Sequence, residues 1–298
     1  MLLNGAYIVG CLLLQEFSTA FSRLPTVGIS IEALRDYAKT VPLSMATRDV
    51  KDRIKETTLG IGSFAAKLGG DSVDENGRPH VGKANTFVSH AWSYDFHATL
   101  SALVEYERAA AAKATEGAGE KLYFWFDIFV LDYHYIDDKE QAKPKDFFDT
   151  LFASTINTIS ATVQVLTPWD DPLTLTRAWC IFELYATLVA DKKIDFALPP
   201  SEQAKFADTL RNDFDAIAKS VVAIDAEKAE ASWEEDREMI FAKVRSMPGG
   251  FVKLNAEVLQ LIRDWHCQAG REVLAGKEAA AGQDGGDSTE VFDCMHNL

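Results

Sequence analysis

The chain has 298 residues, 47% of them hydrophobic, enough to close one large α/β domain with additions or two modest domains around cores of their own. Its 45 acidic side chains outnumber the 30 basic ones, for a formal net charge of -15, so the overall field repels nucleic acid and anionic membrane. The cysteines at 11, 180, 267 and 294 form no CxxC pair and no Cys/His spacing suited to zinc, so reduced thiols and no metal site are expected.

The opening run MLLNGAYIVGCLLLQEFSTAFSRLP admits two readings. It is either an N-terminal packing helix, or a signal peptide in residues 1–20 cut near Ala20 that leads to secretion or plastid import. No Lys or Arg precedes the apolar run and it is too short to span a bilayer, so stable membrane insertion is not expected and a cytoplasmic location is. Up to residue 80 the sequence reads as a separate helical extension, with ISIEALRDYAKTVP, then TRDVKDRIKETTLGIGSFAAKLG, then a polar loop at GGDSVDENGRPH.

From Asn85 short β-rich runs alternate with longer helical ones. NTFVSHA is the first strand, FHATLSALVEYERAAAAK a helix, and KLYFWFDIF a strand too continuously aromatic to be half-exposed. FFDTLFASTINTI is the next helix, ATVQVLT the third strand, TRAWCIFELYATLVA the third helix and KIDFALPP the fourth strand; KSVVAID at 219–225 reads as a fifth. This alternation predicts a flavodoxin-like α/β domain over 84–225, a parallel sheet of about five strands with helices on both faces. Two amphipathic helices over 226–275 form a C-terminal extension, and 276–298, rich in Ala, Gly and Asp, reads as a disordered tail.

Several motifs fail on context. GIGSFA matches a dinucleotide fingerprint by letter but comes after a charged helical segment rather than a strand. DSVDENG resembles a calcium loop, yet its register places Lys83 where a bidentate Glu belongs. No phosphate-binding GxxxxGK[ST] occurs. Cys180 with His90 could make a thiol hydrolase, although a Cys inside an apolar helix is more often a small core residue.

In an open parallel sheet, ligands bind beyond the carboxyl ends of the strands, where strand order reverses. That rule selects Ser89, His90 and Trp92 after the first strand, Asp127 after the second, and Trp169 and Asp170 after the third. The third helix starts beside the same crevice, which brings in Arg177, Trp179 and Glu183; positions four apart on a helix share a face. Each has a plain structural reading too. Trp92, Trp125 and Trp169 suit a core, His90 a backbone hydrogen bond, Asp127 a cap or a pairing with a Lys, and Glu183 an ion pair with Arg177.

FVSHAW, FWFD and VQVLTPWDDPLTLTRAWCIFEL, in that order, resemble the Toll/interleukin-1 receptor (TIR) domain, whose third helix often begins S-x-W-C-x-x-E-L. The likeness covers roughly residues 84–200 and looks closest to TIR-like modules of algae and other protists. It implies cleavage of the nicotinamide–ribose bond of NAD, with Glu183 as the catalytic residue, NAD as substrate rather than cofactor, and a role in signalling or defence. It equally implies self-association or pairing with other TIR-like domains, since many members are non-catalytic signalling scaffolds. By position, Ser89, His90, Trp92, Asp127, Trp169, Asp170, Arg177 and Trp179 are the candidate substrate-binding residues. The loop after the first strand lacks the family's usual acidic residue, with Asp95 as a stand-in, and PWDDPLTLT replaces a shorter Ser-containing loop.

Overall fold

The computed structural model describes residues 26–113, 121–138, 147–213, 216–217 and 225–281. Among these, six strands form one sheet: β1 (Val27–Ile29), β2 (Val81–Lys83), β3 (Thr86–Ser89), β4 (Phe124–Trp125), β5 (Ala161–Val165) and β6 (Lys193–Ala197), in the order β2-β1-β4-β3-β5-β6. The strands β3 to β6 are parallel and run in the order expected of a flavodoxin-like fold, with β3 at the centre flanked by β4 and β5.

The principal helices are α1 (Ile31–Ala38), α2 (Thr47–Thr57), α3 (Phe64–Leu68), α4 (Phe96–Lys113), α5 (Asp127–Val130), α6 (Tyr133–Ile136), α7 (Phe147–Thr158), α8 (Ala178–Val189), α9 (Pro200–Asn212), α10 (Glu234–Ser246) and α11 (Gly250–Ala281). Side chains alternate across each strand, and this sorts them between two cores. Phe124, Phe126, Val88, Val163 and Val165 pack with α1, α2 and α4. Phe87 and Trp125 point to the opposite face, where they stack at 4.8 Å within a core built with α7, α8, α10 and α11. A sheet buried on both faces explains why its strands read as near-continuous apolar runs.

The segment before residue 84 departs from the expected separate helical extension. β1 pairs antiparallel with both β2 and β4, with Ile29 opposite Phe124, so residues 27–83 extend the sheet. Close approach fixes two glycines there. A Cβ on Gly28 would lie 2.8 Å from the Tyr123 carbonyl, and one on Gly82 would lie 2.5 Å from the Tyr123 ring. Ser30 caps α1 by accepting from the Ala33 amide.

Gly60 and Gly62 of GIGSFA take positive φ in the turn between α2 and α3, with no strand before them. The Asp74 carboxylate of DSVDENG accepts from the amides of Asn76 and Arg78, which closes a turn. The predicted strand at 219–225 lies, but for Asp225, outside the described residues, as do residues 1–20. The helix α11 continues through Ala281, past the expected boundary at 276, and 282–298 lie outside the described residues. Among the described residues no helix is long and apolar enough to cross a membrane.

Candidate functional site

Where β3 and β4 end, five polar side chains come together under the first turns of α8. Ser89 closes β3, His90 comes next, Asp127 opens α5, Gln164 sits in β5, and Glu183 descends from α8. All are buried: Glu183 is 8% exposed, Asp127 7%, His90 6%, and Ser89 and Gln164 0%. Burying five such groups is costly unless each finds partners.

The partners are incomplete. Gln164 donates to the Ser89 hydroxyl at 3.4 Å, and that hydroxyl lies close enough to the Glu183 carboxyl to favour its charged form. Asp127 Oδ2 accepts from the indole N–H of Trp92 at 2.9 Å and from the Tyr133 hydroxyl at 3.0 Å, while Oδ1 stands 3.9 Å from Nδ1 of His90. Four atoms in this small volume have no hydrogen-bond partner: Glu183 Oε2, Asp127 Oδ1, His90 Nε2 and Gln164 Oε1. This convergence of unspent donors and acceptors makes the cluster the candidate site.

Charge state depends on the same burial. Desolvation pushes the Glu183 carboxyl well above the usual range, and the nearby Asp127 adds to it, outweighing the Ser89 hydroxyl. Burial thus favours the neutral form of Glu183 in this closed arrangement. Burial lowers the His90 imidazole, against the pull of Asp127. Tyr133 is pushed well up by burial and by Asp127, so it donates as a phenol.

Trp92, 41% exposed, lies over this cluster, edge-on to Tyr133 at 5.9 Å. Lys51 of α2 places its ammonium 5.2 Å from the Trp92 ring and 5.1 Å from that of Tyr133. Ser89, His90, Trp92, Asp127 and Glu183 thus meet as the crevice rule predicts. Lys51, Tyr133 and Gln164 were not singled out from sequence. Gln164 was the findable one, a lone amide between Val163 and Val165 in a buried strand.

The remaining candidates lie elsewhere. Trp169 is buried against Phe206 at 5.3 Å, its amide donating to Glu202, and Asp170 is exposed beside it. Arg177 donates to the Ser232 hydroxyl, and no ion pair joins it to Glu183. Trp179 faces away from the crevice, packing on Phe148 and Phe152 and donating to Asp236. Residues four apart on a helix are offset by about 40°, and the inward stripe of α8 runs through Cys180 and Glu183. Trp179 sits on its flank. Asp95 caps α4 by accepting from the Ala98 amide.

The thiol-hydrolase reading loses its geometry. Cys180 bonds the backbone carbonyl of His90 rather than its ring, and burial with the adjacent Glu183 pushes the thiol well up. Among the described residues, no group of three or more His, Cys, Asp or Glu could hold a metal ion. No protein-family model matches the chain, and neither the curated proteins nor the solved structures contain a match.

Proposed function

We propose that the chain is a TIR-like NAD hydrolase in signalling or defence, with Glu183 as its catalytic carboxyl and NAD as substrate. The observation that carries this reading is the unpartnered Oε2 of Glu183, buried beside Ser89 and Asp127 at the carboxyl end of the central strand. Its fit to the sequence resemblance adds support, since Glu183 is the residue which the motif RAWCIFEL selects.

In the reaction the bond from the ribose anomeric carbon to the pyridinium nitrogen breaks, and its electron pair leaves with nicotinamide, which becomes neutral. No general acid is needed. Water captures the oxocarbenium ion and releases a proton, giving ADP-ribose. An ionised Glu183 stabilises the developing positive charge. The arriving pyridinium cation offsets the desolvation that disfavours the Glu183 carboxylate, so on binding the carboxyl gives its proton to solvent and stands ionised. Ser89 orients it, His90 Nε2 and Asp127 Oδ1 are the free partners for ribose hydroxyls, and Trp92 must leave Asp127 to admit the ring and can then stack on it.

The test is nicotinamide release from NAD by the purified chain, monitored by chromatography. Release that Glu183→Ala abolishes while circular dichroism is unchanged supports the reading; unchanged turnover in that variant sinks it. A second reading, a non-catalytic TIR-like scaffold acting by self-association or with other TIR-like domains, is favoured by the same burial of Glu183. It requires no NAD loss at any protein concentration and concentration-dependent assembly in sedimentation, and a persistent monomer contradicts it.

A further inference from the structure

A cavity of about 570 Å³ opens between α1, α2 and α3, and it shares no residue with the Glu183 cluster. Its size falls in the range of small-molecule sites. Tyr37, Phe64 and Leu68 give it an apolar side, with the two rings edge-to-face at 4.8 Å; Arg53, Lys67 and His80 supply polar groups.

Arg53 is the informative residue. It is half-buried, its Nη2 donates to the Thr40 carbonyl at 3.1 Å, and its positive charge acts on the Tyr37 phenol against the upward push of burial. Its Nε is buried without a partner, and no carboxylate of the described residues pairs with it. A guanidinium in such a place normally meets a carboxylate or phosphate. His80, 8% exposed, spends Nδ1 on the Ser72 hydroxyl at 2.8 Å and leaves Nε2 with no partner. Lys67 holds the Thr57 carbonyl at 3.1 Å from the rim. Two acidic residues also line the space, but Asp36 is paired with Lys39 at 2.6 Å and Glu56 is exposed.

We propose that this cavity is a second ligand site, taking a small planar anion whose carboxylate or phosphate meets Arg53 and whose ring lies against Tyr37 and Phe64. Lys67 adds attraction at the mouth, and His80 Nε2 offers a hydrogen bond to a polar substituent. The site is independent of the Glu183 reading and stands whether or not the chain turns over NAD.

Calorimetric titration of the full chain with 2-naphthoate, 2-naphthyl phosphate and neutral 2-naphthol tests it, the two anions distinguishing a carboxylate from a phosphate head. The expected result is saturable one-to-one binding of at least one anion, about tenfold or more tighter than 2-naphthol, as a charge-assisted contact requires. Arg53→Gln should weaken it about tenfold, Leu68→Trp should block it by filling the space, and Glu183→Gln should leave it unchanged. In the unaltered chain, the saturating anion should protect Arg53 from phenylglyoxal, read by peptide mass spectrometry. No saturable binding of either anion, equal binding of 2-naphthol, or undiminished modification of Arg53 overturns the proposal.

Discussion

The indole N–H of Trp92 donates to Oδ2 of Asp127 at 2.9 Å, tying the loop after β3 to the start of α5. The Tyr133 hydroxyl reaches the same oxygen at 3.0 Å, so one buried carboxylate oxygen is served by two aromatic donors on different segments. Trp92→Phe and Tyr133→Phe should each lower stability by about 1 kcal/mol in urea unfolding. The double variant should lose more than the sum, because Asp127 is then left buried with no donor at all. A strictly additive double variant would show that water takes over the vacated positions.

Glu183 should make stability depend on pH in a way that Glu183→Gln removes. Its folded value is raised, so below the unfolded value of about 4.5 the carboxyl is protonated in both states and its contribution is constant. Above that, the unfolded chain releases the proton and the folded chain keeps it, so stability falls as pH rises, by up to about 1.4 kcal/mol per pH unit. The glutamine variant should therefore gain on the natural chain from pH 4.5 upward in denaturant titrations. Parallel curves for the two proteins would contradict a neutral Glu183.

His266 of α11 acts at the acid end. It is 4% exposed, stacked on Phe206 at 5.3 Å, and neither ring nitrogen has a partner; burial lowers its value to about 4 from 6.5. Its neutral form contributes stability above pH 6.5 that is lost as pH falls toward 4, when only the unfolded chain takes up the proton; the change is about 3 kcal/mol over that window. His266→Phe should flatten this loss, measured as melting temperature between pH 7 and 4. An unaltered acid slope would place the sensitivity on other groups.

Cys180 should resist iodoacetamide in the folded protein at pH 8. It is 4% exposed and its thiol is pushed well up, so labelling should track unfolding rather than pH. Peptide mass spectrometry in and out of denaturant reads this directly, and rapid labelling of the native chain would refute it.

The four parallel strands were legible because each carries its own local signal. TFVS, FW, ATVQV and KIDFA sit inside the runs that periodicity and apolar content select. β1 and β2 were not, since three residues carry no period and their pairing joins segments more than fifty residues apart in sequence. Their one local clue was a glycine in each, required by Tyr123 lying across them. Part of the candidate site was legible from topology alone: strand ends bring Ser89, His90 and Asp127 together whatever the loops do. Trp169 and Trp179 turned away from the crevice because an aromatic there has two ways to turn, and here Phe206 on α9 and Phe148 and Phe152 on α7 give each ring an edge-to-face partner. Lys51 comes from α2, outside the stretch in which the crevice rule looks.

The opposition of Ile29 and Phe124 has a practical consequence for anyone trimming the chain. A fragment begun at residue 84, where the recognisable motifs start, would leave one side of β4 without a neighbour and uncover Phe124, Phe126 and Phe129, which are 0% exposed in the intact chain. Bare strand edges recruit strands from other molecules. Such a fragment would clump for reasons unrelated to any signalling assembly, and oligomers seen with it would report lost shielding rather than biology.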